Sequence, residues 1–308
     1  MVNNAEGEIL RALRASGDYV SGEALSAELG VSRVCIWKHI RNLLRHGYVI
    51  KPSSRGYHLV SAPDLLLPCE FPGWEQKICH FWEVDSTMRV AKGLAKRGAE
   101  EGTIVVAESQ SRGRGRLGRE WSSPVGGIYC TVILRPKVSP AYAPRISLMA
   151  SVAVAQTIRR LFGLPAELKW PNDVLIGGKK VCGILAEMEA EMDEVDFVNL
   201  GIGINVNCSI SQQRATSLRD ELGTEVSRKE VLSAVLAEIW RQQGMLTRED
   251  LLGEWKELSA TLDREVTVVS LGEEIAGKAI DVDPSGALIV KCRDGSLRRV
   301  LAGDCLHL

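Results

Sequence analysis

Apolar side chains recur at helical spacing through residues 5–16, and Gly17 ends the run, which predicts a first helix. Ser21 stands where it can cap a short second helix reaching Leu29. After the Gly30-Val31 turn, Ser32 stands where it can cap a third helix whose Ile36, Ile40, Leu43 and Leu44 share one face. Residues 48–60 then alternate about a Ser53-Ser54-Arg55-Gly56 turn, which predicts a two-stranded wing. Together these form a winged helix-turn-helix. Residues 61–73, with three prolines and Leu65-Leu66-Leu67, read as an ordered linker.

From residue 78 the pattern becomes mixed. Strands are expected at 79–84, 103–108, 127–134, 167–170, 180–188 and 197–206, and helices at 87–97, 145–162, 231–242 and 251–258. Beyond Arg264, short β-rich runs broken by Leu271-Gly272, Pro284-Ser285-Gly286 and Asp294-Gly295 predict a small antiparallel barrel. Residues 187–196 hold six acids in ten positions and read as a solvated hairpin turn. The fold class is α+β, with expected domains at 1–62, 63–260 and 261–308.

The 308 residues are 45% hydrophobic, ordinary for a globular chain with a sizeable core. No stretch approaches the ~18 to 20 apolar residues of a membrane span, and Met1-Val2-Asn3-Asn4-Ala5-Glu6 lacks the layout of a signal peptide. Cysteines at 35, 69, 79, 130, 182, 208, 292 and 305 are scattered without a C-x-x-C pair, and read as reduced thiols. A cytoplasmic protein with no membrane partner is expected.

Net charge is only -1, but residues 31–60 carry Arg33, Lys38, Arg41, Arg45, Lys51 and Arg55 with no acid. That asymmetry favours DNA over a protein partner for the winged helix, through Ser32, Arg33, Lys38, Arg41 and Arg55.

Arg112-Gly113-Arg114-Gly115-Arg116-Leu117-Gly118-Arg119 has the make-up of a backbone loop folded around an anion. Arginine forks onto phosphate or carboxylate, and glycine lets main chain approach a ligand. Such a loop suits a reaction joining two anions, such as a carboxylic acid and the α-phosphate of ATP. Taken alone, it is equally a solvated basic loop or a nucleic-acid patch.

That loop, extended through Glu120-Trp121, resembles the signature of biotin protein ligases. The likeness continues in Asp85-Ser86-Thr87, Lys169-Trp170-Pro171-Asn172-Asp173, Lys180-Val181-Cys182-Gly183-Ile184-Leu185 and Gly201-Ile202-Gly203-Ile204-Asn205, in family order. With the winged helix in front and the β-domain behind, it extends to the bifunctional form, ligase and biotin operon repressor. The resemblance implies a class II synthetase-like central domain and an SH3-like C-terminal barrel. The substrates it implies are biotin and ATP with Mg²⁺, with no tightly bound prosthetic group. Its implied partners are a biotin carboxyl-carrier domain, operator DNA and, with adenylate bound, a second copy of the chain.

Carried over, the resemblance gives Ser86, Thr87, Met88, Gln110, Gly113, Arg114, Gly115, Arg116, Lys180 and Gly183 to biotin. Arg116, Arg119, Trp121, Asn172 and Asn205 fall to ATP, with Lys180 and Arg116 as the catalytic pair. Ser86 is also placed to cap a helix, Trp121 to pack in a core and Lys180 to end a hairpin. Asp173 is open between orienting Mg²⁺ and capping a turn, so no metal ligand is assigned. Trp170, held extended before Pro171, would set Asn172 and Asp173 at a strand end. Met88 stands where the family usually has Asn or Gln, and Leu117 where some members have Arg. A lipoate-type ligase and a ligand-sensing repressor without catalysis are the alternatives. Neither accounts for the Arg/Gly loop, the DNA module and Lys180, Arg116 and Asn172 together.

Overall fold

The computed structural model describes residues 5–191, 194–248, 250–270 and 272–307. The chain divides into two compact units, Met1–His80 and Phe81–Leu308.

In the first unit, α1 (Ala5–Ser16), α2 (Gly22–Leu29) and α3 (Arg33–Arg45) precede a hairpin of β1 (Val49–Ser53) and β2 (Gly56–Ser61). Ser21 Oγ accepts from the Ala24 N–H, Ser32 Oγ from the Cys35 N–H, and Gly30 ends α2 in the left-handed region. Ile9, Leu10, Leu13, Leu25, Ile36, Ile40 and Leu43 meet in one core with Tyr48 and Ile50 of the wing. Leu44, expected on that face, is 43% exposed. A helix turns about 100° per residue, so one position past Leu43 already points away from the buried line. Gly56 lies so close to the Val20 backbone that a Cβ would sit 2.0 Å from its carbonyl, and this pins the wing to the α1–α2 connection. The linker is part of this unit: Leu66, Leu67 and Phe71 are buried, and Arg14 donates to both Glu70 carboxylate oxygens at 2.9 Å.

In the second unit a seven-stranded sheet carries the expected helices. Its elements are β3 (Ile78–Val84), α4 (Thr87–Lys96), β4 (Ile104–Gln110), β5 (Ile128–Leu134), α5 (Ala143–Phe162), β6 (Ala166–Lys169), β7 (Asp173–Ile176), β8 (Lys179–Glu191) and β9 (Glu194–Ile204). The strand order is β3-β4-β5-β9-β8-β7-β6, with antiparallel neighbours from β4 to β6. Helix α4 packs on β4, β5 and β9, and α5 on β6, β7 and β8. Then α6 (Leu218–Leu222), α7 (Arg228–Gln243) and α8 (Asp250–Glu257) follow, the last two against α5. Strands β10 (Glu265–Ser270), β11 (Glu273–Val282), β12 (Leu288–Cys292), β13 (Leu297–Val300) and β14 (Asp304–His307) form an antiparallel sheet ordered β13-β12-β11-β10-β14.

Two elements were not expected. Strand β7 turns into β8 through Gly177 and Gly178, at φ 55 and 77, a pair of left-handed residues that suits a tight hairpin. The short α6 is held between the Ser217 cap and Gly223. The acidic run is strand for most of its length, because β8 continues to Glu191 and β9 begins at Glu194. Cations pair with it: Arg114 with Glu187 at 3.1 Å, and Lys96 and Lys92 with Glu189 at 2.7 and 3.4 Å. Residues 192 and 193, inside that run, lie outside the described residues. Among the described residues no helix is long and apolar enough to cross a membrane.

Candidate active site

Glycines on β8 and β9 open a trough in the middle of the seven-stranded sheet. Strand residues two apart share a face, so Gly201, Gly203 and the cross-strand Gly183 clear one patch of side chains. Two large groups lie on that patch. A Cβ at Gly203 would meet Trp121 Nε1 at 2.5 Å, one at Gly183 the indole ring at 2.8 Å, and one at Gly201 Met88 Sδ at 2.6 Å. The resulting cleft, of roughly 370 Å³, has two chemically distinct ends.

One end is polar and neutral. The Thr87 N–H and Oγ1 donate to Gln110 Oε1 at 2.8 and 3.1 Å, Thr131 Oγ1 donates to Thr87 Oγ1 at 2.9 Å, and Gln110 Nε2 donates to Ser123 Oγ at 2.8 Å. Ser86 stands at the head of α4 but its side chain caps nothing. Its buried hydroxyl has no hydrogen-bond partner among the described residues.

The other end is charged. Lys180 Nζ stands 2.6 Å from Asp173 Oδ1 and 5.2 Å from the Trp121 ring centroid. Lys180 is held by its backbone, which donates to the Arg214 carbonyl at 2.9 Å and accepts from the Thr216 N–H at 3.0 Å. Asn205 braces the same segment through its Nδ2, which donates to the Thr216 carbonyl at 3.0 Å. Across the cleft, Arg116 Nη1 donates to Asn172 Oδ1 at 3.3 Å and to the Gly303 carbonyl at 3.1 Å. Burial pulls the Arg116 pKa below its ordinary value; Asp173 opposes that shift and Arg119 reinforces it. Arg116 therefore enters the cleft as a half-dehydrated cation, the form that gains most from an anionic ligand.

The Arg/Gly loop is a closed excursion. Gly113 accepts from the Trp121 N–H at 2.9 Å, Gly115 donates to the Arg119 carbonyl at 2.8 Å, and Leu117 turns the tip at φ 54 with its side chain in solvent. Its guanidinium groups diverge: Arg114 reaches Glu187, Arg116 reaches Asn172, and Arg119 pairs with Asp304 of β14.

Thr87, Met88, Gln110, Arg114, Gly115, Arg116, Arg119, Trp121, Asn172, Asp173, Lys180, Gly183 and Asn205 all line this one cleft. Ser86 and Gly113 are not among its lining residues; Gly113 lies under the Trp121 carbonyl and Ser123. Two contributions went unforeseen. Ser209 to Gln212 and Ala215 form part of one wall, and Asp304, Cys305 and Leu306 bring the C-terminal sheet to the cleft. The Trp170–Pro171 bond preceding Asn172 is cis. Among the described residues no three His, Cys, Asp or Glu gather as metal ligands, and Asp173 is paired with Lys180.

In the first unit, Ser32 spends its hydroxyl on the α3 cap. Arg33, Lys38 and Arg41 are exposed on α3, while Arg55 at the wing tip lies over the Tyr19 ring at 4.6 Å and 3.4 Å from Asp18.

Residues 81–205 match the model of the biotin/lipoate A/B protein ligase family, residues 261–308 the biotin protein ligase C-terminal domain, and residues 7–58 an HTH domain. The bifunctional ligase/repressor BirA of Bacillus subtilis is 35% identical, over 94% of this chain and 94% of its own. That of Escherichia coli is 31% identical over 96% and 95%. The solved biotin protein ligase from Aquifex aeolicus in complex with biotin and ATP superposes with a TM-score of 0.65 at 30% identity, over 76% of this chain and 99% of that one. With the same three-part layout followed over almost its whole length by such relatives, this chain belongs to the bifunctional biotin protein ligase/repressor family.

Proposed function

We propose that the two-ended cleft performs biotin activation and transfer, with the neutral end holding the ureido ring and the charged end the reacting groups. Biotin and Mg·ATP are the substrates. A biotin carboxylate oxygen attacks the α-phosphorus, the bond to the β-phosphate oxygen breaks, and pyrophosphate leaves, giving biotinoyl-5′-AMP. The ε-amine of a carrier-domain lysine then attacks the acyl carbon; AMP departs, the amine loses a proton, and biotinyl-lysine forms.

Two anions must first be brought together. Lys180 and Arg116 face each other across the cleft and offset the charge that gathers on the α-phosphate as it is attacked. Ser86, Thr87 and Gln110 supply hydroxyl, backbone and amide partners for the ureido group, and Met88 lies along the apolar rings. Trp121 presents an aromatic face to adenine. Asn172 and Asn205 orient the nucleotide. Magnesium would be held chiefly by the triphosphate and would offset its charge, with Asp173, paired to Lys180, as a cleft carboxylate that would help to orient it. Closure of residues 112–119 over the adenylate shields the anhydride from water.

The observation that carries this reading is the convergence of Lys180, Arg116 and Asn172 at one end of a trough whose other end holds the Thr87–Gln110 hydrogen-bond network. The regulatory half follows from the helix-turn-helix unit: the adenylate-loaded chain pairs with a second copy and grips an operator with two winged helices. Incubation with Mg·ATP and either biotin or lipoate tests the catalytic half. Pyrophosphate release with biotin alone is expected. Release with lipoate, or with neither acid, would refute it.

A further inference from the structure

The outer face of α3 carries two kinds of side chain. Arg33, Lys38 and Arg41 are the charged ones. Between them stand Val34, 63% exposed, and Trp37, 47% exposed, two large apolar groups left in solvent. Positions 34, 37, 38 and 41 follow i, i+3, i+4 and i+7, so they form one stripe. The line Ile36, Ile40 and Leu43 faces the core instead. Arg41 lies over Trp37 at 4.7 Å from the ring centroid, which orders both side chains. Val34 and Trp37 also border a groove between α3 and the wing, whose other lining residues include Glu23, Arg33, Ser54 and Arg55.

The surroundings choose the occupant. Residues 31–60 hold six Lys and Arg residues and no Asp or Glu, so an apolar stripe set among them complements a polyanion. On the major-groove edge of DNA, thymine alone presents a methyl group, and apolar side chains recognise it there. We propose that Val34 and Trp37 read thymine in the operator through its 5-methyl group, making them specificity-determining residues beyond the cations that bind phosphate. The inference rests on the repressor reading given above.

The test uses the full chain with biotin and Mg·ATP, and a duplex that it selects from a random-sequence pool. Each thymine is replaced in turn by uracil, which removes only the methyl. At the positions read by α3, affinity should fall about fourfold per methyl, the transfer value of one such group. In Val34→Ala and Trp37→Ala the thymine duplex should bind more weakly, and uracil at the matching positions should cost nothing further. Ligase activity and, for Val34→Ala, the salt dependence of binding should not change, since valine meets no phosphate. Equal binding of uracil and thymine duplexes, or full methyl sensitivity in both variants, would overturn the inference. DNA affinity untouched by either variant would do the same, and would assign the stripe to a protein partner. A chain that selects no duplex at all removes the repressor reading itself, which separates the two failures.

Discussion

Lys180 and His307 show how two residues in one unit carry different burdens. Lys180 is held by backbone bonds on both sides and pairs with Asp173 while partly exposed, so the pair adds under about 1 kcal/mol to stability. In the proposed mechanism its charge counts when the α-phosphate is attacked. Lys180→Ala should lower pyrophosphate release by roughly 10²- to 10³-fold with the melting temperature nearly unchanged; activity within a few-fold of wild type would reduce Lys180 to a hairpin lysine. His307 works on stability. The Trp170 N–H donates to Thr261 Oγ1 at 3.0 Å, and that hydroxyl stands 3.0 Å from His307 Nε2, within hydrogen-bond reach of a neutral imidazole. Burial, with the charges of Lys169 and Arg264 adding, pulls the His307 pKa down from 6.5 to about 4. Below pH 6.5 the unfolded chain therefore takes up a proton that the folded one refuses, and stability is lost as pH falls toward 4. A His307→Gln variant should show a flatter melting temperature over that window, and superimposable curves would dismiss the role.

At the level of elements, the cleft is a matter of missing side chains. Alternation along β9 puts Gly201 and Gly203 on one face, and the β8 register brings Gly183 opposite Gly203. Trp121 settles on the space they leave. In Gly203→Ala the new methyl would fall 2.5 Å from the indole Nε1, forcing Trp121 off the sheet at a strain cost of ~1 to 3 kcal/mol. Adenylation should fall at least tenfold and tryptophan fluorescence should shift, while Gly244→Ala, with open space around it, should do neither. Normal adenylation in Gly203→Ala would mean that Trp121 is only packing. Much of this element-level picture is legible beforehand. The helix-turn-helix caps at Ser21 and Ser32, the Arg/Gly loop and the motif residues that line the cleft all have local signatures. Arg116 reaching Gly303 does not, because a contact 187 residues apart leaves no periodicity to read. Strand β7 was missed for another reason: four residues before Gly177-Gly178 are too few to show alternation. The acidic run misled because its composition reads as turn, whereas the β8–β9 ladder continues through it, with Arg114, Lys92 and Lys96 paired to its partly exposed carboxylates.

At the scale of the whole molecule, one chain joins a ligase unit to a helix-turn-helix unit, and the two must share an equilibrium if the second is to report what the first has made. A contact between units is not needed. Assembly is enough, because a palindromic site binds two winged helices far better when they arrive together. The proposed adenylate would have the means to favour assembly: ordering residues 112–119 over the ligand would remove an entropic cost that a subunit interface beside them would otherwise bear. Arg116 and Arg119 already tie that loop to Gly303 and Asp304, so ligand-induced order would extend from the loop into the C-terminal sheet. Sedimentation with and without a non-hydrolysable biotinoyl-AMP analogue should show a dimer only, or mainly, in its presence, and operator affinity should rise at least tenfold. Linkage makes the effect reciprocal, so saturating operator should slow release of the analogue through the same coupling free energy. Equal dimer fractions and equal DNA affinity in both states would show that the adenylate carries no message to the DNA-binding unit, and regulation would then have to act through competition with the carrier domain instead.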